Sequence, residues 1–188
     1  MARRHVIVLN GVGSVGKSST ARALQALATR PFLHVAMDAF IQMMPMKLVG
    51  HPDGLTFEKG EENGFPVVSI GTGPVLDQTL LGMRRAIAAL ADAGNDLVVD
   101  EVMLGNQDRD YRRLLAHHDL RLVGLFAPLQ VLEERERRRG DREPGLSRWQ
   151  YRRVHSGVDY DLTVDTAEAT PAEVAMRICR AFGLEAAV

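Results

Sequence analysis

Residues 11–18 of the chain, GVGSVGKS, place glycines, a lysine and a serine in the spacing G-x-x-x-x-G-K-S. That spacing is the phosphate-binding loop (P-loop) pattern, which requires a strand before it and a helix after it. The glycines let the backbone curl so that successive N–H groups point at phosphate oxygens, and the start of the next helix adds its positive dipole end. The motif therefore predicts a site for a nucleoside triphosphate.

The residue types of the motif suggest separate roles. Lys17 is expected to reach the β- and γ-phosphates as a point charge, and the Ser18 hydroxyl to contact Mg²⁺. The predicted nucleotide contacts are Gly11, Val12, Gly13, Ser14, Val15, Gly16, Lys17, Ser18 and Ser19. The motif alone leaves open where the γ-phosphate goes.

Two acidic residues, Asp100 and Glu101, stand near the end of an apolar run, DLVVDEV, at residues 96–102. An aspartate at such a strand end holds Mg²⁺ beside a P-loop, often through water, so Asp100 is a predicted metal residue; the alternative is a structural capping role. Glu101 fits two functions. In a hydrolytic ATPase it would polarise a water, and in a small-molecule kinase it would contact the substrate or the metal shell.

Asp38 follows another short apolar run, FLHVA, at residues 32–36. A carboxylate at the end of this strand lies on the same edge of a parallel sheet as the P-loop. It could accept the proton of an attacking hydroxyl group, as phosphoryl transfer requires. The alternative is that Asp38 only caps a short helix predicted over 38–44.

A cluster of charges, EERERRRGDRE, occupies residues 133–143 and holds five arginines and five acids. One interpretation is a solvated helix face with ion pairs one turn apart. The other is a lid over about 135–150, because a small P-loop kinase needs cations over the γ-phosphate. Arg139 and Arg142 are the first candidates for that role, and Arg135 is the next.

Apolar runs and helix-forming runs alternate along the chain, which predicts an α/β fold with a doubly wound parallel sheet. Ligands of such a sheet bind at the carboxyl ends of its strands. The predicted strands are 5–10, 32–36, 96–102, 120–127 and 161–165. The predicted helices are 17–29, 38–44, 74–93, 106–117, 128–139, 147–154 and a last one with a capping box at Thr170 and Glu173.

Residues 45–72 break this alternation with three prolines and five glycines. They predict an irregular excursion, with a short hairpin near 55–70, that serves as a flap on the substrate side. Met37, Met43, Met44 and Met46 stand beside it. They fit either the core or an adaptable apolar pocket wall.

Composition narrows the function classes. The 188 residues predict one domain, 1–188, and a net charge of −1 gives no sign of a nucleic-acid or membrane partner. The stretch RWQYRRVH at 148–155 interleaves arginines with aromatics as nucleic-acid binders do, but the nearly neutral net charge of the chain favours a lid-supporting helix.

No stretch of consecutive apolar residues approaches the 18 that a membrane-spanning helix needs. The single cysteine, Cys179, is expected to be buried and fits a reducing, cytoplasmic setting.

Metal-ligand spacing with cysteine or acidic partners is not found for His34, His117, His118 or His155. Structural or surface roles are therefore the expectation for His34, His117, His118 and His155.

Five stretches in this order and spacing resemble the chloramphenicol phosphotransferase family, and the resemblance runs from about residue 5 to the final helix. The stretches are VIVLNGVGSVGKSS, MDAFIQMMP, DLVVDEVMLG, RRRGDR and VHSGVDYDLTVDT. The second and the last are more specific than the P-loop. The resemblance implies a P-loop NTPase fold of the nucleotide-monophosphate-kinase type, with five parallel strands and a lid, and transfer of the ATP γ-phosphate to a primary hydroxyl of chloramphenicol.

Carried over to this sequence, the resemblance makes Asp38 the catalytic base, Lys17 the phosphate-binding lysine and Ser18 the magnesium-side hydroxyl. Arg139 and Arg142 become lid residues. Residues 45–66 depart most from the family pattern, and they are expected to line the acceptor pocket.

The sequence thus predicts an ATP- and Mg²⁺-dependent O-phosphotransferase for a hydroxylated small molecule such as chloramphenicol or a similar antibiotic. A kinase for another metabolite, nucleoside or nucleotide is the first alternative. The second is a P-loop ATPase that acts as a switch on a partner. The sequence leaves open whether the protein forms a homo-oligomer.

Overall fold

The structure, a computed structural model, describes residues 3–140 and 144–186. Its strands are β1 (His5–Asn10), β2 (Phe32–Ala36), β3 (Leu55–Glu62), β4 (Phe65–Thr72), β5 (Asp96–Glu101), β6 (Asp119–Phe126) and β7 (Leu162–Asp165). Five of them form a parallel sheet in the order β2-β5-β1-β6-β7, and β3 and β4 form an antiparallel hairpin. The predicted five-stranded parallel sheet is confirmed.

The helices are α1 (Lys17–Leu27), α2 (Met37–Ile41), α3 (Pro74–Asp92), α4 (Gln107–Leu114), α5 (Leu129–Arg139), α6 (Leu146–Tyr151) and α7 (Pro171–Phe182). They cover both faces of the sheet. Along the central strand β1, Ile7 and Leu9 pack with α1 and α7, while Val6 and Val8 pack with α3 and α4. Because side chains alternate across a strand, a strand buried on both faces is apolar at every position, which explains the run VIVL.

The P-loop follows β1 at the middle of the sheet, and the two sheet edges lie on either side of it. Asp38 follows β2 at one edge, and Thr166 follows β7 at the other. All these residues lie at the carboxyl ends of parallel strands, where this sheet type binds ligands. The sheet therefore separates a β2 side from a β7 side of any site centred on the P-loop.

Residues 45–72 are more regular than expected. After a 3₁₀ turn at Met46–Leu48, the strands β3 and β4 pair over their full eight residues each. The turn between them uses Asn63 and Gly64, both with positive φ, as two-residue hairpin turns require. The hairpin predicted near 55–70 is therefore confirmed, and it extends to Thr72 with regular pairing along both strands.

Several local predictions have clear outcomes. Helix α2 begins at Met37 with Ala36 before it, so the alternative of Asp38 as helix cap is wrong. Thr170 and Glu173 form the expected capping box. Cys179 is buried in α7. Met44 is buried with Leu55 and Leu76 under the hairpin.

Within the described residues, none of the helices is both long and apolar enough to traverse a lipid bilayer.

Candidate active site

The P-loop connects β1 to α1. Gly16, directly before the helix, has a φ of 100°, a left-handed conformation that glycine adopts without strain. Lys17 is buried, and its Nζ donates to the carbonyl oxygens of Gly11 (2.7 Å) and Val12 (3.0 Å). The ammonium group and the positive end of α1 thereby face the same space, which suits a polyphosphate.

A cavity of about 1150 Å³ lies beside the P-loop, and residues 13–20 form its floor. On the β2 side its walls are Asp38, Leu55, Phe57, Ile70, Leu76 and Leu80. On the β7 side they are Arg135, Thr166, Ala169, Pro171 and Val174. Of the predicted nucleotide contacts, Gly13 to Ser19 line the cavity, whereas Gly11 and Val12 offer their carbonyl groups to Lys17.

Asp100 lies at the end of β5 and lines this cavity. His34 Nε2 is 3.0 Å from its Oδ2 atom. Burial raises the pKa of Asp100, but hydrogen bonds from His34 and Ser18 and the charge of Lys17 outweigh burial and hold the pKa below its ordinary value. The carboxylate and the Ser18 hydroxyl are hard oxygen donors side by side, which is a donor set that fits Mg²⁺.

Asp38 lies in the first turn of α2, with an exposed side chain in the cavity wall. Strands β2 and β5 are neighbours, and Ala36 pairs with Asp100 in their register. The sheet therefore brings Asp38 and Asp100 to adjacent strand ends beside the P-loop. This is the position that the sequence predicts for a catalytic base.

The three candidate arginines have different outcomes. Arg135 donates to Thr166 Oγ1 (3.2 Å) and to the carbonyl oxygens of Thr166 (2.7 Å) and Ala167 (3.1 Å). These contacts tie Arg135 to the β7 side of the cavity, across from the β2 side where Asp38 lies. Arg139 lines the cavity at the end of α5. Arg142 lies outside the described residues.

Glu136, in the same charged cluster, is 2% exposed. Its carboxylate accepts hydrogen bonds from the backbone N–H groups of Gly145 (3.0 Å) and Ser147 (2.8 Å) and from the Ser147 hydroxyl (2.9 Å). It thereby fixes the N-terminus of α6 to α5. The solvated-face interpretation is wrong for this residue.

Helix α6 also contacts the P-loop and the hairpin. The N–H group of Gly13 donates to Gln150 Oε1 (2.8 Å). The N–H group of Val68 in β4 donates to the carbonyl oxygen of Gly145 (3.2 Å), and the Arg148 guanidinium lies 4.3 Å from the centre of the Phe65 ring. The predicted lid helix and the predicted flap therefore pack on each other. Arg148 and Arg153 of the stretch 148–155 serve this packing, since Arg153 pairs with Glu62 of β3.

Glu101 points to the opposite face of β5 from Asp100. It is buried beneath α3 and α4, where the Tyr111 hydroxyl donates to it and Arg84 lies within ion-pair distance at 3.4 Å. Burial raises the pKa of this carboxyl. Arg84 reaches the cavity wall on the β2 side, and Asp110 also lies beside its guanidinium. The arginine charge is thus balanced by two acids.

The stretch VHSGVDYD supports the end of β1. Asn10 Nδ2 donates to the Val154 carbonyl (2.8 Å) and to the Tyr160 hydroxyl (2.6 Å), which lies 2.7 Å from His155 Nδ1. His155 stacks on Phe126 with ring centres 3.8 Å apart. Burial and the charge of Lys17 lower the pKa of His155 to about 4.

The sequence pattern that defines the chloramphenicol phosphotransferase-like proteins matches residues 4–183. The chain belongs to this family.

The expected resemblance is therefore confirmed, and related sequences agree with it. A Mycobacterium tuberculosis protein that carries the provisional name O-phosphotransferase is 32% identical over 177 residues, which cover 91% of this chain and 78% of that protein. Family membership and the fold together support an enzyme that transfers a phosphoryl group to a hydroxyl group, as the sequence predicts.

Solved structures share the fold at low identity. The tunicamycin resistance protein of Deinococcus radiodurans has a TM-score of 0.69 at 23% identity, with 99% of both chains covered. The Mycobacterium tuberculosis APS kinase in complex with AMPPNP and APS has a TM-score of 0.66 at 16% identity, with 97% of this chain and 99% of that chain covered. A gluconokinase from Sinorhizobium meliloti has a TM-score of 0.61 at 20% identity, with 97% and 94% covered. These likenesses show a P-loop kinase fold.

This chloramphenicol phosphotransferase-like chain has a second cluster of titratable groups at the amino ends of the strands, where Asp92 meets His117 and His118. His118 Nδ1 accepts from the Arg4 N–H, so its Nε2 carries a proton and donates to Asp92 Oδ1 (3.0 Å). Metal-binding histidines instead donate through the second ring nitrogen. The cluster is therefore a hydrogen-bonded one, and the two histidines lower the pKa of Asp92.

Three residues near the P-loop were not predicted as site residues: His34, Glu136 and Gln150. Glu136 follows the buried Leu132 by one helical turn, and Gln150 follows the buried Leu146 in the same way. That spacing places each polar side chain on the apolar face of its helix. It is a sequence signal for a buried polar contact.

Proposed function

We propose that the protein transfers the γ-phosphoryl group of ATP to a hydroxyl group of an uncharged, largely apolar small molecule, such as chloramphenicol or a similar antibiotic. The observation that carries this proposal is the character of the β2 side of the cavity. Asp38 stands there among apolar side chains of the hairpin and α3, namely Leu55, Phe57, Ile70, Leu76 and Leu80.

The charge on this side of the cavity argues against an anionic acceptor. A buried charged acceptor group needs an opposite charge of its own. Arg84 lines this wall, but Glu101 and Asp110 already neutralise it. A hydroxylated molecule with an apolar body would bury its surface against the hairpin without needing a free cation.

The reaction follows from the positions of the chain's own groups. The loop 11–18 and Lys17 would hold the phosphates, and the nucleoside would lie on the β7 side near Arg135 and Thr166. Ser18 and Asp100 would hold Mg²⁺, which neutralises phosphate charge as the bond to the leaving oxygen breaks.

Asp38 would take the proton of the acceptor hydroxyl. The acceptor oxygen then forms its bond to the γ-phosphorus while the bond to the β,γ-bridging oxygen breaks, and ADP leaves with that electron pair. Arg139 lines the cavity and would stabilise the charge on the equatorial oxygens, with Arg142 as its predicted partner.

Burial of Glu101 disfavours the ATPase alternative. Its carboxylate contacts Tyr111 and Arg84 on the face of β5 opposite Asp100. From that position it does not reach a water in line with the γ-phosphate.

An ATP-consumption screen tests the proposal. The panel contains chloramphenicol, other neutral hydroxylated antibiotics and nucleosides, with gluconate and shikimate as anionic comparisons, and mass spectrometry identifies the phosphorylated product. We expect product only with neutral amphiphilic alcohols. Efficient phosphorylation of an anionic acceptor, or hydrolysis that no acceptor stimulates, would overturn it.

A further inference from the structure

Gln150 joins the lid helix α6 to the P-loop. It is 2% exposed, and its Oε1 accepts the N–H group of Gly13 at 2.8 Å. A backbone N–H group is always a donor, so the side-chain atom that faces it must be the amide oxygen. The NH₂ group of Gln150 therefore points away from Gly13, on a side chain that lines the cavity.

The position of Gln150 is fixed by contacts between α6 and α5. Glu136 holds the first turn of α6 through the Ser147 N–H group and the Ser147 hydroxyl, at 2.8 and 2.9 Å. Arg148 on the same helix pairs with Glu133 of α5. A side chain held this firmly loses little further entropy on meeting a ligand, which makes it suited to positioning one.

Gln150 stands on the acceptor side of the P-loop. Helix α6 packs on β4, where Val68 donates to Gly145 and Phe65 lies under Arg148. In the proposed function the nucleoside lies on the β7 side, where Arg135 holds Thr166. The end of the phosphate chain that approaches Asp38 and the hairpin is the γ-phosphate, so Gln150 stands beside that end.

In the part of the chain that the structure describes, the side-chain hydrogen bonds of Gln150 involve Oε1 alone. Its two amide protons are thus available to an acceptor in the cavity, where a γ-phosphate oxygen would be the nearest ligand atom. A neutral donor there adds a hydrogen bond without drawing Asp38 or Asp100 into an ion pair.

We propose that Gln150 binds the γ-phosphate of ATP: its Oε1 holds Gly13, and its Nε2 donates to a γ-phosphate oxygen. The assignment rests on the proposed function, namely that ATP is the phosphoryl donor and that its nucleoside lies on the β7 side. It adds a contact from the lid helix that distinguishes ATP from ADP.

Calorimetric binding of Mg²⁺ with ADP and with a non-hydrolysable ATP analogue tests this, without any acceptor present. Gln150→Glu keeps an oxygen for the Gly13 N–H group but turns a second, negative oxygen toward the phosphate. The variant loses a hydrogen bond to a charged group and adds a like charge, so we expect the ATP analogue to bind at least about tenfold more weakly. ADP binding should change by less than about threefold.

Two further measurements separate phosphate binding from simple packing. In Gln150→Glu, affinity for the ATP analogue should recover as the pH falls and the introduced carboxyl group takes a proton, whereas the wild-type affinity should not rise. Gln150→Met, which keeps the volume, serves as the second variant if the first does not fold. It should also weaken the analogue more than ADP. Arg152→Gln, an exposed change beside the same helix, is the matched control and should alter neither Kd.

If both variants weaken the binding of ADP and of the analogue equally, Gln150 only supports the loop. If both ligands bind as tightly as to the wild type, Gln150 is not part of the binding site. Either result overturns this inference while leaving the proposed acceptor chemistry intact. Conversely, a failed acceptor screen with the expected pattern of Kd values overturns only the proposed function.

Discussion

His34 Nε2 lies 3.0 Å from Oδ2 of Asp100, and the two residues come from neighbouring strands of the parallel sheet. Asp100 offers an oxygen to the cavity beside Ser18, so His34 orients the carboxylate that is proposed to hold Mg²⁺. Mutation of a residue that hydrogen-bonds to a metal ligand commonly lowers metal affinity or activity by about 10–100-fold.

His34→Leu should therefore raise the Mg²⁺ concentration needed for half-maximal activity by about tenfold, because the Asp100 carboxylate loses the hydrogen bond that orients it. A magnesium titration at saturating ATP measures this. His117→Leu changes an exposed histidine at the far end of the sheet and is the control. An unaltered magnesium dependence in His34→Leu would show that Asp100 is held by other contacts.

Asp38→Asn should lower phosphorylation of the acceptor by about 10²–10⁴-fold, since an amide cannot take the proton of the attacking hydroxyl. ATP affinity should stay nearly unchanged because Asp38 lies on the β2 side of the cavity, where the acceptor is proposed to bind. Single-turnover kinetics and ATP titrations separate the two effects. Asp77→Asn alters another carboxylate of the same wall and provides the comparison. Full turnover in Asp38→Asn would show the base assignment to be wrong.

Glu101→Gln should destabilise the fold rather than remove an activity. The carboxylate contacts Tyr111 and Arg84 in the core, and weakening such buried contacts costs about 1–3 kcal/mol. Urea unfolding measures the loss, and Tyr111→Phe, which removes one of the same contacts, should give a loss of similar size. A folded Glu101→Gln protein that loses acceptor-independent ATP hydrolysis would support the ATPase alternative.

Much of the fold was predictable because its determinants are local. The run VIVL is apolar at every position, and the P-loop must follow such a strand. Helix α3 begins at Pro74 and ends two residues before Gly94, as those residue types predict. The hairpin was predicted only in outline, near 55–70, because β3 is exposed along most of its length and its polar residues show no core-facing pattern.

Site residues were predictable where a sequence motif marks them. They were missed where only their burial in the folded chain identifies them. Asp100 and Glu101 are neighbours in sequence, yet strand alternation sends Asp100 to the cavity and Glu101 to the core beside Val99. Glu136 sits in a charge-balanced run that resembles a solvated face, and Gln150 has no motif at all. Their functions depend on how α5 and α6 pack on the P-loop, which is a tertiary relationship.

His155 gives a prediction for pH. Its pKa is about 4 in the folded chain, through burial and the charge of Lys17, and about 6.5 when unfolded. Between these values the unfolded chain binds more protons, so the free energy of unfolding should fall as the pH drops from about 6.5 to 4. The Tyr160 hydroxyl reinforces this, because it lies 2.7 Å from Nδ1 and can donate only to a neutral ring.

His155→Gln should flatten this part of the stability curve, since glutamine keeps an acceptor for Tyr160 but does not titrate. Urea unfolding at several pH values between 4 and 7 measures the slopes. His51→Gln removes an exposed histidine and should leave the wild-type slope intact. If His155→Gln and the wild type lose stability equally over this range, groups other than His155 cause the acid sensitivity. In that case the support beneath the P-loop does not depend on a neutral imidazole.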